Sequence, residues 1–169
     1  MKKLLYTETG PNGTSYKKGE WKNFAIHNEL EVKGFFGEYR FLSNFWPAII
    51  KLDGVEYASV ELAYQAAKWK TESRDFFSKC TELESIDYNR NNNPDGYSVE
   101  AWDSIKLAIM GNLIEQKFNP KVNQENYQKL QNTGNIHLEE MNWWGDLFWG
   151  TNNNGEGENN LGKLLMRVR

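Results

Sequence analysis

The spacing of apolar residues changes several times along the chain, and each change marks an element. Across residues 30–36 and again across residues 48–52, apolar and polar positions alternate, as in a strand with one buried face. Asp53-Gly54, just ahead of Val55-Glu56-Tyr57, is a two-residue turn sequence that closes a hairpin. The period then becomes helical, with Ser59 as N-cap and a helix running through Trp69. A longer amphipathic helix is expected over residues 98–118, with Trp102, Ile105, Ile109 and Leu113 along one side, and a third over residues 123–131, stopped by Thr133-Gly134. Residues 136–139 read as a strand, residues 152–157 as a polar loop, and residues 161–168 as a short closing helix or strand. Ahead of these, Gly10-Pro11-Asn12-Gly13 belongs to a stretch of turns. Residues 1–33 are therefore expected to form an N-terminal extension with two short strands, and residues 34–169 the body of the protein. The order of elements predicts an α+β fold, one compact domain with several helices around a small, mostly antiparallel sheet.

Composition narrows the function. A length of 169 residues suits one domain. The net charge of −3 argues against a large basic surface for bare nucleic acid, because such affinity comes from many phosphate contacts. A nucleic acid gripped through a modification stays compatible. Residues 1–6 are too short an apolar stretch for a signal core and no later run could span a bilayer, so a cytoplasmic protein with no membrane partner is expected. Cys80 is the only cysteine, which excludes an intrachain disulfide, and Lys79-Cys80-Thr81-Glu82 supplies no evident base, so a structural thiol is expected. His27 and His137 lack metal spacing; no metal and no other cofactor is expected. Seven tryptophans exceed what a small core requires, and some should face a ligand.

On the helix after Ser59, Glu61, Gln65 and Lys68 share one face. Val60, Ala63, Tyr64 and Ala67 flank that stripe on one side, and Leu62, Ala66 and Trp69 on the other. So narrow a polar stripe fits a polar cavity, although a solvated face has the same spacing. Cleavage of a ribose C1–N bond passes through an oxocarbenium-like state that a carboxylate can stabilise, and glycoside hydrolases commonly use two acids. Glu61 and Asp146 form the candidate pair, Asp146 standing inside the aromatic run Trp143-Trp144-Gly145-Asp146-Leu147-Phe148-Trp149-Gly150. The glycine- and asparagine-rich residues 155–162 could cradle a phosphate, or form an ordinary surface turn whose glutamates repel one.

The ordered set of segments resembles the NADAR family, named for NAD and ADP-ribose association, which includes N-glycosidases of riboflavin-pathway intermediates. The resemblance rests on Phe36-Gly37, Leu42-Ser43-Asn44-Phe45, Asp53-Gly54 with Tyr57, and Ser59-Val60-Glu61 with Tyr64-Gln65-Ala66 and Lys68. It continues through Trp102 and Lys106, Lys117-Phe118, Leu130 with Thr133, and Leu138-Glu139. Asp146, Trp149-Gly150, Gly157, Asn159, Leu161-Gly162, Leu165-Met166 and Arg169 complete it. The resemblance implies that Glu61 is the catalytic carboxylate, with Asp146 and Trp149 lining the same site and Trp102 a stacking wall. It implies that Gly37, Ser43, Asn44, Gly150 and Asn159 bind or orient ribose and phosphate groups. Lys68 would grip a phosphate, position Glu61, or attack C1 covalently, and Lys51 is a second candidate for that attack. The implied substrate is a ribosyl phosphate or an ADP-ribose-type molecule, free or attached to a nucleobase. One departure stands out: Leu62 occupies the place where the family usually has a histidine. That departure keeps a non-catalytic nucleotide-binding module as the alternative, and a tryptophan-rich interaction scaffold as a third reading.

Overall fold

The computed structural model describes residues 25–169 and the backbones of two short strands before them, β1 (Glu8–Thr9) and β2 (Ser15–Tyr16), which pair antiparallel. The turns expected around Gly10 to Gly13 and the reading of residues 1–6 lie outside the described residues. The chain forms two compact units, one of residues 1–40 and 136–163, the other of residues 41–135 and 164–169.

In the first unit, β3 (Ile26–His27), β4 (Glu31–Lys33) and β7 (His137–Glu139) make a three-stranded sheet in the order β3-β4-β7. The β4–β7 pairing is parallel, with Val32 opposite Leu138, and both side chains are fully buried. Phe35 and Phe36 follow β4 into the interior, and Phe36 stacks on Trp143 with ring centroids 5.1 Å apart. The expected strand over residues 30–36 is thus three residues long. Gly34 at φ 83 turns the chain out of the ladder after Lys33, a conformation that costs glycine little.

In the second unit, β5 (Pro47–Leu52) and β6 (Val55–Ser59) form the expected hairpin. Asp53 and Gly54 adopt φ of 49° and 81°, the paired left-handed values of a turn whose twist matches its strands. The buried Arg74 guanidinium pairs with Asp53 and donates through Nε to the Trp69 carbonyl. The other edge of β5 meets side-chain amides instead of a third strand. Gln116 accepts from Lys51 N–H and donates to its carbonyl, Asn123 does the same for Ile49, and Asn126 donates to the Pro47 carbonyl. An open row of backbone groups is thereby satisfied.

Strand β6 runs directly into α1 (Val60–Ala67), whose eight residues are all buried. Ser59 caps it, its hydroxyl accepting from Leu62 N–H. Helix α1 packs against α2 (Glu82–Asn91), α3 (Val99–Lys117) and the hairpin. Of the face expected on α3, Leu113 is buried and Trp102, Ile105 and Ile109 are half-buried, while Met110, Ile114 and Lys117 are buried beside Leu113. Helix α4 (Gln124–Gln131) follows, and α5 (Asn160–Val168) closes the chain as a helix, its first residues belonging to the first unit and residues from Leu164 onward to the second. The α+β class and the mostly antiparallel pairing match expectation, with the strands of the described residues shared among three small sheets. Helix α2 was not expected, although Thr81 and Glu84 close a reciprocal capping box at its start.

Candidate active site

Because α1 is buried all round, its polar stripe is an interior feature and not a wet face. Glu61 and Gln65 are each 8% exposed, and Lys68 is half-buried. Their side chains form a continuous chain along the helix. Gln65 Nε2 donates to Glu61 Oε1 at 2.7 Å, and Lys68 Nζ donates to Gln65 Oε1 at 2.7 Å. Charge-bearing side chains are seldom buried without such partners.

The amine end of the chain is walled by rings. Lys68 Nζ lies 5.2 Å from the Tyr64 ring centre and 5.9 Å from that of Trp102, within cation–π range. Trp102 packs on Tyr64 at 5.2 Å and on Tyr97 at 5.9 Å. Tyr97 comes from the loop before α3, which is pinned where Gly96 N–H donates to the Lys68 carbonyl; a side chain at Gly96 would meet that carbonyl at 2.6 Å. A cleft of about 300 Å³, lined by Trp69, Thr71, Arg74, Gly96 and Tyr97 among others, opens beside this end of α1. Burial lowers the Lys68 pKa below the ordinary lysine value, and the Glu61 carboxylate opposes part of that shift.

The carboxylate end is held by the Ser43-Asn44 turn. Glu61 N–H donates to the Asn44 carbonyl at 3.0 Å, and the Ser43 carbonyl accepts from the fully buried Lys117 Nζ at 2.6 Å. Ser43 Oγ accepts from Phe45 N–H, a bond within the turn. Asn44 Nδ2 points to Met110 Sδ at 3.6 Å, while its Oδ1 is buried with no hydrogen-bond partner. Lys51 stands apart from this chain of bonds. Its side chain is exposed on β5, and its backbone is held by Gln116.

The remaining expected residues belong to the first unit. Gly37 is exposed, at φ 54, and opens a 3-10 turn. Asp146 Oδ1 accepts from the N–H groups of Phe148 and Trp149 at 3.2 and 2.9 Å, ordering the turn that follows it. Trp149 packs edge-on against Phe148 with centroids 4.8 Å apart. Gly150 has no room for a side chain, since a Cβ there would collide with the Glu140 carbonyl. Asn159, at φ 50, donates to the Leu138 carbonyl and accepts from Glu140 N–H, both at 3.0 Å, which ties the start of α5 to β7. In the loop before it, Asn152 Oδ1 takes the amides of Asn154 and Glu156, so those two donors are occupied within the loop.

Other chemistry finds little support in the geometry. Burial first, then Glu84 and Glu82, push the Cys80 thiol up to about 11, the reverse of what a nucleophile needs. Among the described residues no group of three or more His, Cys, Asp or Glu side chains could hold a metal ion, and no helix is long and apolar enough to cross a membrane.

A family model described as the NADAR domain matches residues 31–169. The chain belongs to the NADAR domain family. The match opens at Glu31, the first residue of β4, three residues ahead of the boundary expected at Gly34. Within this family, the chain is 30% identical over 147 residues to the N-glycosidase YbiA of Shigella boydii, covering 86% of this chain and 87% of that protein. An N-glycosidase of Nostoc punctiforme is 33% identical over 137 residues, 78% of this chain and 84% of that one. A riboflavin biosynthesis protein of Vibrio vulnificus is 30% identical over 146 residues, and there the match spans 84% of this chain but only 39% of the Vibrio protein. The NMR structure of the Escherichia coli protein YbiA superposes with a TM-score of 0.70 at 25% identity, covering 86% of each chain. NADAR relatives named as N-glycosidases thus match most of the chain.

Proposed function

We propose that this protein is an N-glycosidase that cleaves the C1–N bond of a ribosyl substrate, with Glu61 as the catalytic carboxylate. The observation that carries this reading is the buried chain from Glu61 through Gln65 to Lys68, on a helix with no solvent-facing side. A carboxylate so placed can stabilise the positive charge that grows at C1 as the bond to nitrogen stretches, or take a proton from the attacking water. Water adds to C1 as hydroxide, and its proton leaves with the base. Lys68 offers a covalent route. Its neutral amine attacks C1 as the base departs with a proton, the ribose ring opens to an imine, and water then releases the sugar and restores the amine. The lowered Lys68 pKa favours that neutral form.

Asn44 supports the same site. Its buried Oδ1 lacks a partner, and a ribose hydroxyl would supply one. The Tyr64 and Trp102 rings supply a wall on which a flat base can stack, and Ser43 shapes the turn that presents Asn44. Asp146, Trp149, Gly150 and Asn159 enter this reading through the ordered turn and helix start they build. Two substrate classes fit: a ribosylamino-pyrimidine phosphate of the riboflavin route, or an ADP-ribosyl group on a nucleobase, free or within nucleic acid. Incubation with each, following release of base and of ribose phosphate or ADP-ribose by chromatography, separates them.

A second reading draws on Leu62, which is 3% exposed and cannot donate a proton where the family usually has histidine. In that reading the protein holds an ADP-ribose-like nucleotide without turning it over. Calorimetric binding of ADP-ribose with no product from either substrate would favour it and reject the glycosidase assignment.

A further inference from the structure

Glu61 and Lys68 are seven residues apart, about 10 Å along a helix axis. What joins them is the Gln65 amide, at i+4 from the acid and i−3 from the amine, with a 2.7 Å bond to each. Its orientation is determined by its neighbours. The carboxylate offers an acceptor and so draws the amide NH2, while the amine offers a donor and so draws the amide oxygen. Gln65 is itself 8% exposed, in the middle of a fully buried helix. An amide can bridge both groups and carries no charge of its own.

The substitutes show what the amide does. A leucine of similar size removes one partner from the acid and one from the amine. A glutamate keeps the acceptor toward Lys68 but sets two carboxylates within hydrogen-bond distance of each other. The lysine stem, which leans toward the helix N-terminus, would be drawn out of its place against the rings and toward the acids.

We infer that Gln65 is a positioning residue of the active site: a neutral spacer that fixes the Glu61 carboxylate and holds Lys68 against the Tyr64 and Trp102 rings, keeping acid and amine from closing into a direct ion pair. The inference rests on the glycosidase reading above. The groups facing Lys68 are few. Glu61 on α1 is the charged side chain acting on it among the described residues. Helix α1 also presents the Tyr64 phenol, α3 the Trp102 ring, and the loop before α3 the Tyr97 phenol against Trp102. Helix α2 directs Asn89 and Tyr88 to the neighbouring Trp69.

The test uses the full chain with the ribosylamino-pyrimidine phosphate as probe, comparing wild type, Gln65→Leu, Gln65→Glu and Glu61→Gln. Gln65→Leu is expected to lower kcat about a hundredfold with KM within about threefold. Gln65→Glu is expected to move the acid limb of the kcat/KM profile up by about one pH unit, because paired carboxylates raise one another's proton affinity. Unchanged kcat in Gln65→Leu, or a Gln65→Glu profile that overlays wild type, overturns the inference. Full activity in Glu61→Gln sinks the assignment of Glu61 as the catalytic carboxylate instead. If wild type turns over no probe, Lys68 is titrated by heteronuclear NMR in wild type and Gln65→Glu. An upward shift of its pKa in the variant upholds the spacer role, and superimposable titrations overturn it.

Discussion

The polar residues of α1 and the buried Asn142, Asn159 and Asn160 of a later segment are both shielded from water, yet they direct their hydrogen bonds to different partners. On α1 the bonds run from side chain to side chain, joining an acid, an amide and an amine. In the later segment most run to backbone, with Asn160 also donating to the Glu158 carboxylate. Asn142 bonds both N–H and C=O of Asp146, Asp146 takes the amides of Phe148 and Trp149, Asn159 bridges Leu138 and Glu140, and Asn160 donates to the Phe148 carbonyl. A side chain bonded to backbone holds a loop in shape and has its lone pairs and protons occupied. Under the proposed function, the contrast separates residues expected to act on a substrate from residues that build the frame.

The largest effect should come from Glu61→Gln, which keeps the shape of the side chain and removes its charge. We expect kcat to fall by about a thousandfold or more, with Tm within about 3 °C of wild type. Comparable loss of activity and of Tm would make Glu61 a frame residue and erase the contrast. Asn159→Ala should do the opposite. It deletes two bonds between α5 and β7 and leaves alanine at φ 50, for a loss of about 3 kcal/mol in denaturant unfolding. Stability within about 0.5 kcal/mol of wild type would show that the frame does not depend on it.

Asp146 tests the boundary between the two classes. Asp146→Asn keeps the Oδ1 acceptor and should hold Tm within about 2 °C, whereas Asp146→Ala should cost about 1–2 kcal/mol. If Asp146→Asn folds as wild type while its turnover collapses, the charge of that carboxylate takes part in chemistry and the segment is more than frame. The smallest expected signal is the Lys68 titration. Burial lowers its pKa from 10.5 and Glu61 opposes the shift, so Glu61→Gln should lower it further, as read by NMR of the lysine side chain. Between the folded pKa and 10.5 the unfolded chain binds more protons at this lysine than the folded one, so this group makes stability rise with pH across that window. A Lys68 pKa unmoved in Glu61→Gln would show that the two ends of the chain are not electrically coupled.

Much of this protein could be read in advance where a local signal was strong. The Asp53-Gly54 turn, the Ser59 cap and the helix after it stand where expected, because turn and cap chemistry act over a few residues. Helix α2 has a thin apolar pattern, with Ser85 and Ile86 its buried positions, and its one local signal is the Thr81 to Glu84 capping spacing. Phosphate binding suggested by the glycine-rich residues 155–162 runs against Asn152, whose side chain takes the Glu156 amide and whose carbonyl takes that of Gly155. No composition rule can foresee that, since a loop amide is equally able to bond a ligand or a neighbour.

By itself the amino-acid sequence determined that Glu61, Gln65 and Lys68 share one face, since helical spacing is a property of the backbone. Whether that face met water or protein was settled only by tertiary packing, when α2, α3 and the hairpin closed around α1. Burial then gave the three residues their bonds to one another and drew the amine toward its neutral form. Covering a side chain depends on elements far away in the chain, and no local pattern carries that information.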